Sequence, residues 1–333
     1  MGFRSLITGI SGFVGGFLAE HLVQCGDRVL GTSPDGRLLP DSAESLHQGM
    51  RPLIAWDFAQ PEGLVEAARA TIEDFAPEVI YHLAALSVQD DCGETGPTRL
   101  AMAINVDGTR QVLELAASLP ARPRVLFVST AKVYAPVDRQ HPHVSEDSSL
   151  GPTRPYGMTK LEAERVVLEA VEKTGCDAVI ARAFQHTGPR QVPRLMLPQW
   201  ARQVAADGND PIEVHTRDAW LDLCDVRDVA RAYRLLAEFG EPGGIYNVGT
   251  GQNRCSGDIL RQLLEIAACD RPVVETRPGR RQEPIADPAR LVVSTGWQPI
   301  IPLRQTIADT LAYWRERLSG SSQVANDSIT PGG

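Results

Sequence analysis

The sequence predicts an α/β protein built on a doubly wound parallel sheet, with a smaller interleaved α/β lobe in its C-terminal part. Two observations carry this prediction. Short apolar strands alternate with helical segments through the first half of the chain, and a glycine-rich turn joins the first strand to the first helix. Such alternation is typical of parallel sheets that are covered by helices on both faces. The chain has 333 residues, 43% of them hydrophobic, which is enough to bury a large core.

The first strand–helix unit carries a glycine pattern that suits nucleotide phosphates. A strand at residues 5–8 runs into TGISGFVG, which places Gly9, Gly12 and Gly15 at the start of a helix at 13–25. Gly9 permits the tight turn, Gly12 lets the backbone approach a pyrophosphate, and Gly15 lets the helix pack on the strand. The helix N-terminus then faces the phosphates. The pattern predicts a dinucleotide-binding domain of the Rossmann type.

The same alternation continues to residue 183. Further strands are predicted at 28–32, 53–56, 79–84, 125–129 and 178–183, and helices at 61–75, 98–118 and 156–173. Ligands of such sheets bind beyond the carboxyl ends of the strands. We therefore expect the functional residues on the segments that follow the strands.

The composition changes after residue 184 and again near the C-terminus. Proline, glycine and arginine become frequent, and helices mix with short strands. We predict a Rossmann-type domain at 1–184, rejoined by about 222–250, and a substrate-binding lobe at 185–318. The last segment, 319–333, has almost nothing to bury and is predicted to be a disordered tail.

A tyrosine and a lysine stand four residues apart in PYGMTKLEAE, at the start of the helix predicted at 156–173. Tyr156 and Lys160 therefore share one helical face. Free tyrosine has a pKa of about 10, and lowering it to about 7 requires about 4 kcal/mol of stabilisation of the phenolate. An ammonium group and an oxidised nicotinamide can supply it. Taken alone, the pair also fits an ordinary exposed helix face.

Charge, cysteine and histidine patterns exclude several classes of function. The net charge of −9 argues against a nucleic acid as the main partner. The six cysteines lack C-x-x-C spacing, and the first residues run directly into a strand, so we expect reduced thiols in a cytoplasmic protein without a signal peptide. No apolar window is long enough for a membrane span. His82, His186 and His215 lack partners at ligand spacing, so no metal site is expected.

Several further segments match the motifs of one known family. They are HLAA at 82–85, STAKVY at 129–134, RAFQHTGPRQ, DVRDVARAY, YNVGTG and TGWQP, in addition to TGISGFVG and PYGMTK. Together they resemble the extended short-chain dehydrogenase/reductase family over about residues 4–318. The resemblance is to its nucleotide-sugar branch of epimerases, dehydratases and reductases, and is strongest to the GDP-4-keto-6-deoxy-mannose reductases.

The resemblance implies a catalytic set of Thr130, Tyr156 and Lys160. The Thr130 hydroxyl would hold the substrate oxygen beside Tyr156, with Ser129 as the alternative to Thr130. Lys160 would bind the nicotinamide ribose and lower the pKa of Tyr156. Tyr134 is expected to pack rather than react.

The resemblance also implies NADP or NAD as the cofactor. The residues expected to bind it are Gly9, Ser11, Gly12, Phe13, Val14, Gly15, Ser33, Arg37, Asp57, Phe58, Leu83, Ala84, Ala85, Asn105, Val128, Lys160, Ala183 and Phe184. Ser33 stands where NAD-specific relatives have an acid that binds the ribose 2′-hydroxyl. Serine does not repel a 2′-phosphate, and Arg37 favours one while Asp35 opposes it, so a mild preference for NADP is predicted.

The implied substrate is a nucleotide-linked sugar, with two departures from the family pattern. Its predicted contacts are Ser87, Thr130, Tyr156, Gln185, Arg190 and Arg277. Gln185 replaces an asparagine that is frequent in the family. Leu221 replaces the arginine that normally meets the diphosphate, and Arg217, Arg190 and Arg277 are the candidates to take over that role.

The predicted reaction is the reduction of a 4-keto-6-deoxyhexose by hydride transfer, with Tyr156 as the proton donor. The alternative is an NAD-dependent epimerase of a nucleotide sugar, nucleotide or nucleoside, which works through a transient keto intermediate. A 4,6-dehydratase is not expected, because Ala131 and Lys132 occupy the places of its additional acids. A homodimer is expected.

Overall fold

The computed structural model of the chain describes residues 2–38, 53–60 and 63–327. Its strands are β1 (Arg4–Thr8), β2 (Arg28–Ser33), β3 (Leu53–Ala55), β4 (Val79–His82), β5 (Arg124–Thr130), β6 (His143–Val144), β7 (Ala178–Ala183), β8 (Gln185–Thr187), β9 (Ile212–Val214), β10 (Ala219–Leu221), β11 (Leu223–Asp225), β12 (Ile245–Val248), β13 (Arg254–Cys255), β14 (Val273–Glu275), β15 (Arg281–Gln282) and β16 (Ile285–Ala286). Its helices are α1 (Phe13–Gln24), α2 (Glu66–Phe75), α3 (Arg99–Met102), α4 (Gly108–Ser118), α5 (Pro155–Thr174), α6 (Met196–Ala205), α7 (Val226–Phe239), α8 (Ser256–Ala267), α9 (Ala289–Thr295) and α10 (Leu303–Asp327). A π-helical turn, Ala103–Asp107, joins α3 to α4.

A seven-stranded sheet forms the centre of the molecule, in the order β12-β7-β5-β4-β1-β2-β3. All of its strand pairs are parallel. Every residue of β7 is buried, as expected for a strand that is covered on both faces. The predicted fold class, a Rossmann-type doubly wound parallel sheet, is confirmed.

Two apolar clusters hold helices against the faces of this sheet. On one face, α1 and α7 bury side chains such as Leu18 and Val229. On the other, α4 and α5 bury side chains such as Leu113 and Val167. Full burial of one such side chain contributes about 1.5–3 kcal/mol, so the two layers hold the carboxyl edge of the sheet in a defined position.

A third apolar cluster lies in the C-terminal part of the chain. It joins α6, α8 and α10 around Trp200, Leu263 and Ile307. Short strands cover it, in the sheets β13-β10-β15 and β14-β9. Two further parallel pairs, β11–β8 and β16–β6, connect this region to the segments that follow the central strands.

The structure differs from the sequence-based expectation at the C-terminus. Residues 319–333 are predicted to be disordered, but α10 continues to Asp327. Residues 328–333 lie outside the described part. In the ranges that are described, no helix combines the length and apolarity that a bilayer crossing requires.

Candidate active site

The glycine turn after β1 is built from close backbone contacts. Gly9 has a φ of +73°, and a Cβ there would lie 2.8 Å from the backbone N of Ala84. A Cβ at Gly15 would lie 2.4 Å from the carbonyl oxygen of Gly9. Gly12 is the exposed N-cap of α1 and offers no side chain to cap it. The first backbone N–H groups of α1 are thus available to an anion.

The end of β2 forms a tight polar turn. The buried Ser33 Oγ accepts a hydrogen bond from the backbone N of Arg37 at 2.8 Å and donates one to Asp35 Oδ1 at 3.3 Å. Asp35 Oδ1 also accepts from the backbone N of Arg37 at 3.1 Å. One oxygen of the opposing carboxylate is therefore used within the turn, while the Arg37 side chain is exposed.

His82 links β1, β4 and α4 by hydrogen bonds. Its Nδ1 lies 2.8 Å from Thr8 Oγ1, and its Nε2 lies 3.1 Å from Thr109 Oγ1. Burial, followed by the charge of Lys160, lowers the pKa of His82 to about 3. Thr8 Oγ1 also accepts from the backbone N of Ala84 at 3.3 Å. His82 is therefore a neutral structural residue that holds the turn 83–85 beside the glycine turn. No group of three metal-ligating side chains occurs within the described ranges.

Asn105 does not present its amide to the cofactor region, which corrects its predicted role. Its Nδ2 donates to Leu86 O at 3.0 Å and to Thr159 Oγ1 at 2.9 Å. Its Oδ1 accepts from the backbone N of Leu86 at 2.8 Å. Asn105 instead positions the segment after β4 against α5.

Two predicted cofactor residues after β3 are likewise engaged within the protein. Asp57 Oδ1 accepts from the backbone N of Ala59 at 2.9 Å. The Phe58 ring is buried 4.6 Å from Trp56 and 5.7 Å from His82, measured between ring centroids. The Phe58 side chain therefore belongs to the core, and its backbone is the part left for a ligand.

Tyr156 and Thr130 meet at the carboxyl edge of the sheet. Pro155 occupies the first turn of α5, where its missing N–H is tolerated. A Cβ at Gly157 would lie 2.3 Å from the carbonyl oxygen of Lys132, so only glycine lets α5 pack this closely on the turn after β5. This packing brings the half-buried Tyr156 close to Thr130, whose hydroxyl group lowers the pKa of the phenol.

The alternative to Thr130, Ser129, is held on the other side of the strand. Its Oγ donates to Glu164 Oε1 at 2.5 Å. Glu164 in turn forms a buried ion pair with Arg182 at 2.8 Å. This geometry favours Thr130 over Ser129 for contact with a reacting oxygen.

Lys160 lies in a buried, apolar position one helical turn after Tyr156. Its Nζ is 4.3 Å from the ring centroid of Phe127. It has no hydrogen-bond partner in the part of the chain that the structure describes. Burial lowers the pKa of Lys160 to about 7, although the charge of Glu164 opposes this shift.

The pKa of Tyr156 differs from the expectation. Burial raises it above the ordinary value, Cys92 adds to the increase, and the hydrogen bond with Thr130 opposes it. Lys160 does not offset this desolvation, because its own charged form is also disfavoured by burial. The chain alone therefore keeps the phenol protonated at neutral pH.

Arg190, which is predicted to contact the substrate, is paired with a carboxylate of the protein. Its guanidinium forms a bidentate pair with Glu20 on α1, at 2.6 and 3.0 Å, and lies 3.8 Å from the Phe17 ring centroid. Arg217 is paired with Glu275 at 3.1 Å. Neither guanidinium is free to take over the role of the arginine missing at 221.

The other predicted substrate residues differ in their surroundings. Ser87 and Arg277 are exposed. Gln185 Oε1 is buried and has no hydrogen-bond partner within the described chain. A buried polar atom without a partner is costly, so Gln185 is a site at which a ligand group can bind.

The remaining residues predicted to bind the cofactor lie at or near the carboxyl edge of the central sheet. Ser11, Phe13 and Val14 lie at the start of α1, and Val128 and Ala183 lie near the ends of β5 and β7. Phe13 stacks on His186 with 6.2 Å between ring centroids. Phe184, which is predicted to lie against the nicotinamide, is buried with its ring centroid 6.3 Å from that of Tyr134.

Sequence reasoning missed the buried polar network behind the site. Arg182 donates to Tyr134 Oη at 3.1 Å, and Tyr134 Oη donates to Asn247 Oδ1 at 2.6 Å. The signal was present, because an arginine inside an apolar strand must be paired when it is buried. The ion-pair partner of Arg182 is Glu164, which lies on α5 four residues after Lys160.

Comparison with known proteins decides the family. The model of the NAD dependent epimerase/dehydratase family matches residues 5–249. The chain belongs to this family. The resemblance to the extended short-chain dehydrogenases/reductases is thereby confirmed.

Individual family members match along nearly their whole length. The chain is 28% identical over 323 residues to the GDP-6-deoxy-D-mannose reductase of Pseudomonas aeruginosa, covering 95% of this chain and 98% of that one. A solved structure of RMD from Pseudomonas aeruginosa, complexed with NADPH, matches with a TM-score of 0.77 and 27% identity over 95% and 99% of the two chains. The UDP-glucose 4-epimerase of Thermus thermophilus, in complex with NAD, matches with a TM-score of 0.80 and 25% identity over 94% and 99%.

Proposed function

We propose that this family member is an NADP-dependent reductase of a nucleotide-linked 4-keto-6-deoxyhexose. The observation that carries the proposal is the position of Tyr156 beside Thr130 at the carboxyl edge of the sheet, with Lys160 on the same face of α5. The 28% identity to a GDP-6-deoxy-D-mannose reductase supports the choice of a reductase within the family.

The residues at the carboxyl edge fit a dinucleotide. A side chain at Gly9 or Gly15 would fill the space of the turn, and α1 begins at an uncapped Gly12. Gly12 and the first turn of α1 would hold the pyrophosphate. Lys160 would hydrogen-bond the nicotinamide ribose, which gives its unpartnered ammonium an acceptor. The bound cofactor supplies the hydride.

Tyr156 serves as the acid of the proposed reaction. Because burial raises its pKa, the phenol carries its proton at neutral pH and can donate it to the carbonyl oxygen as that oxygen becomes an alcohol. Thr130 donates or accepts a hydrogen bond at the same oxygen and fixes its position. The raised pKa suits a reduction, in which the catalytic residue must begin protonated.

The residues beside Thr130 argue against the dehydratase members of the family. Lys132 Nζ, one residue beyond Ala131, forms an ion pair with Glu283 Oε2 at 2.5 Å. An ammonium therefore occupies the place where a dehydratase needs an acid, and the nearby carboxylate is held by it. Among the described residues directly after Thr130, none is the carboxylic acid that a dehydratase uses to expel the 6-hydroxyl group.

An epimerase is the second candidate. It is supported by the match to an NAD-bound UDP-glucose 4-epimerase with a TM-score of 0.80. An epimerase uses the same Tyr156 and Thr130 but returns the hydride to the other face of the sugar. It therefore consumes no external cofactor.

One assay separates the candidates. The purified protein is supplied with NADPH and GDP-4-keto-6-deoxymannose, and in parallel with the UDP- and dTDP-linked 4-keto-6-deoxy sugars. We expect stoichiometric NADPH consumption and a 6-deoxyhexose product with one of the three. Interconversion of UDP-glucose and UDP-galactose without added NADPH, by a protein that retains NAD through purification, would establish the epimerase instead.

Arg37→Ala is expected to weaken the preference for NADP. The exposed guanidinium at the end of β2 is placed to meet a 2′-phosphate, and one charge-assisted contact is worth about 1.5–3 kcal/mol. The KM for NADPH should rise about tenfold, and the KM for NADH should change little. Equal changes in the KM values for NADPH and NADH would show that Arg37 does not bind the 2′-phosphate. Lys173→Ala, at a distant exposed position, is the control.

We also propose a cytoplasmic homodimer. The six cysteines are all free, which is consistent with a reducing compartment. Light scattering of the purified protein measures the oligomeric state directly, and a monomer mass would reject the dimer.

A further inference from the structure

The arginine that is missing at position 221 has a structural counterpart on the neighbouring strand. β10 and β13 pair in an antiparallel manner, with Leu221 directly opposite Arg254. Side chains of directly opposite residues emerge on the same face, with Cβ atoms about 4.5–5.5 Å apart. Arg254 therefore leaves the sheet beside the position where the family arginine would leave it.

Arg254 is half-buried, and its guanidinium is not fully hydrogen-bonded. Its Nε is inaccessible to solvent and has no hydrogen-bond partner. No carboxylate within the described chain forms an ion pair with it. Burial lowers the pKa of Arg254, although the charge of Asp222 opposes this shift. Burying a guanidinium nitrogen without a hydrogen-bond partner costs free energy. An anion that binds the guanidinium offsets part of this cost.

The space beside Arg254 is a cavity of about 160 Å³. Thr250, Gln252 and Leu223 contribute to its lining, together with the loop 299–303. Leu223 is the strand partner of Gln185, whose buried Oε1 also lacks a partner. Gln185 and Arg254 thus lie in two different small sheets, on the strand partners of β11 and β10, which follow one another in the chain.

The two carboxylates nearest this region are already engaged. Asp225 also lines the cavity, but it is paired with Arg227 at 2.8 Å and accepts from Thr306 at 2.7 Å. Asp222 accepts hydrogen bonds from Thr250, from the backbone N of Gly251 and from that of Ala286. These bonds reduce the repulsion that either carboxylate would exert on an incoming phosphate.

Other arginines of the C-terminal part are less suited to this role. Arg217 and Arg190 are paired with carboxylates, and Arg280 lies 5.1 Å from the ring centroid of Trp220 and 3.7 Å from Asp218. Arg277 is exposed. An exposed guanidinium keeps its hydration and gains less from a phosphate than a partly desolvated one.

We propose that Arg254 binds the diphosphate of the nucleotide-linked substrate, in place of the arginine that Leu221 lacks. This inference rests on the proposed function for the identity of the ligand. A guanidinium can bind two phosphate oxygens at once, which suits Arg254 better than a lysine at the same position.

The test measures binding without turnover. GDP, UDP and dTDP are titrated calorimetrically into the wild-type protein, and the tightest binder is used for the variants. Arg254→Leu is expected to weaken the binding of that diphosphate at least tenfold, and Arg254→Lys less. The NADPH affinity should stay the same in both. The denaturation midpoint of Arg254→Leu should not fall, because an unpaired buried charge is replaced by an apolar side chain.

A relocation variant and two matched variants complete the test. Arg254→Leu combined with Leu221→Arg returns the guanidinium to the family position and is expected to recover most of the affinity. Arg190→Leu should lose stability and keep its diphosphate affinity. Wild-type affinity in Arg254→Leu, or its loss only in Arg277→Leu, would overturn the inference in favour of Arg277.

Failure of the inference and failure of the proposed function give different results. If the diphosphate binds through Arg254 but no 4-keto sugar is reduced, the reductase proposal falls and the phosphate site stands. If a 4-keto sugar is reduced and Arg254→Leu binds the diphosphate normally, the phosphate site falls alone. Absence of diphosphate binding by the wild-type protein would also reject the site.

Discussion

Tyr156→Phe is expected to lose at least about 100-fold in kcat while its affinity for NADPH stays unchanged. The substitution removes one oxygen atom, the phenol oxygen beside Thr130 that is proposed to donate the proton. General acid catalysis contributes about 10²–10⁴-fold, and no other described hydroxyl or carboxylate is assigned to replace it here. Stopped-flow measurement of NADPH oxidation, with fluorescence titration of NADPH, checks both parts of the expectation.

Two neighbouring variants act as controls for Tyr156→Phe. Thr130→Val keeps the shape of the side chain but loses the hydroxyl, so kcat should fall with intact NADPH binding. Ser129→Ala removes the partner of a buried Glu164 oxygen, so it should chiefly lower the free energy of unfolding. A Tyr156→Phe protein with near wild-type turnover would show that the proton comes from another group.

Local sequence patterns were sufficient to predict the central sheet and the helix that carries Tyr156 and Lys160. Strand-helix alternation is a short-range signal, and the spacing of Gly9, Gly12 and Gly15 reflects contacts within one turn. The four-residue separation of Tyr156 and Lys160 likewise depends only on helical geometry. Each of these features is determined by residues that are close together in the chain.

Long-range pairing was outside the reach of such patterns. Arg190 bonds to Glu20 across 170 residues, and Arg254 meets Leu221 only through the register of two short strands. Strands of two or three residues carry no periodic signal, so their register cannot be deduced from the sequence. For this reason sequence reasoning noted the absence of the family arginine at Leu221, but it considered Arg217, Arg190 and Arg277 as replacements and not Arg254.

The hydrogen-bond partners of buried polar groups were also beyond what the sequence patterns could predict. Asn105 and Phe58 lie in family-like segments, yet the structure uses their side chains for packing and positioning. A motif identifies a residue that matters, but which neighbour satisfies its polar atoms depends on the assembled structure. The pKa of Tyr156 follows the same rule, because its desolvation arises only when α5 packs on the turn after β5.

Lys160→Met is expected to abolish most turnover and, in the absence of cofactor, to stabilise the fold in a pH-dependent manner. Methionine has a similar length and no charge, so it removes the cost of burying the ammonium. The loss of kcat should be of the order of 100-fold, since the residue that orients the ribose and the electrostatics around Tyr156 are lost.

The direction of the pH dependence follows from the lowered pKa. Lys160 has a pKa of about 7 in the fold, whereas in the unfolded chain a lysine has a pKa of about 10.4. Between these values the unfolded state binds more protons, so the stability of the wild-type protein rises with pH. Below pH 7 both states are protonated and the full cost applies. The difference of about 3.4 pKa units corresponds to an upper bound of about 5 kcal/mol.

The advantage of Lys160→Met over the wild-type protein should therefore be largest at pH 6 and should shrink towards pH 10. Urea denaturation at pH 6, 8 and 9.5 measures it. Lys173→Met, on the same helix but exposed and paired with Glu169, should show no comparable pH-dependent gain. A Lys160→Met protein that is equally destabilised at all three pH values would mean that Lys160 makes a stabilising interaction in the cofactor-free fold, and its assignment as an ammonium kept unpaired for the ribose would have to be given up.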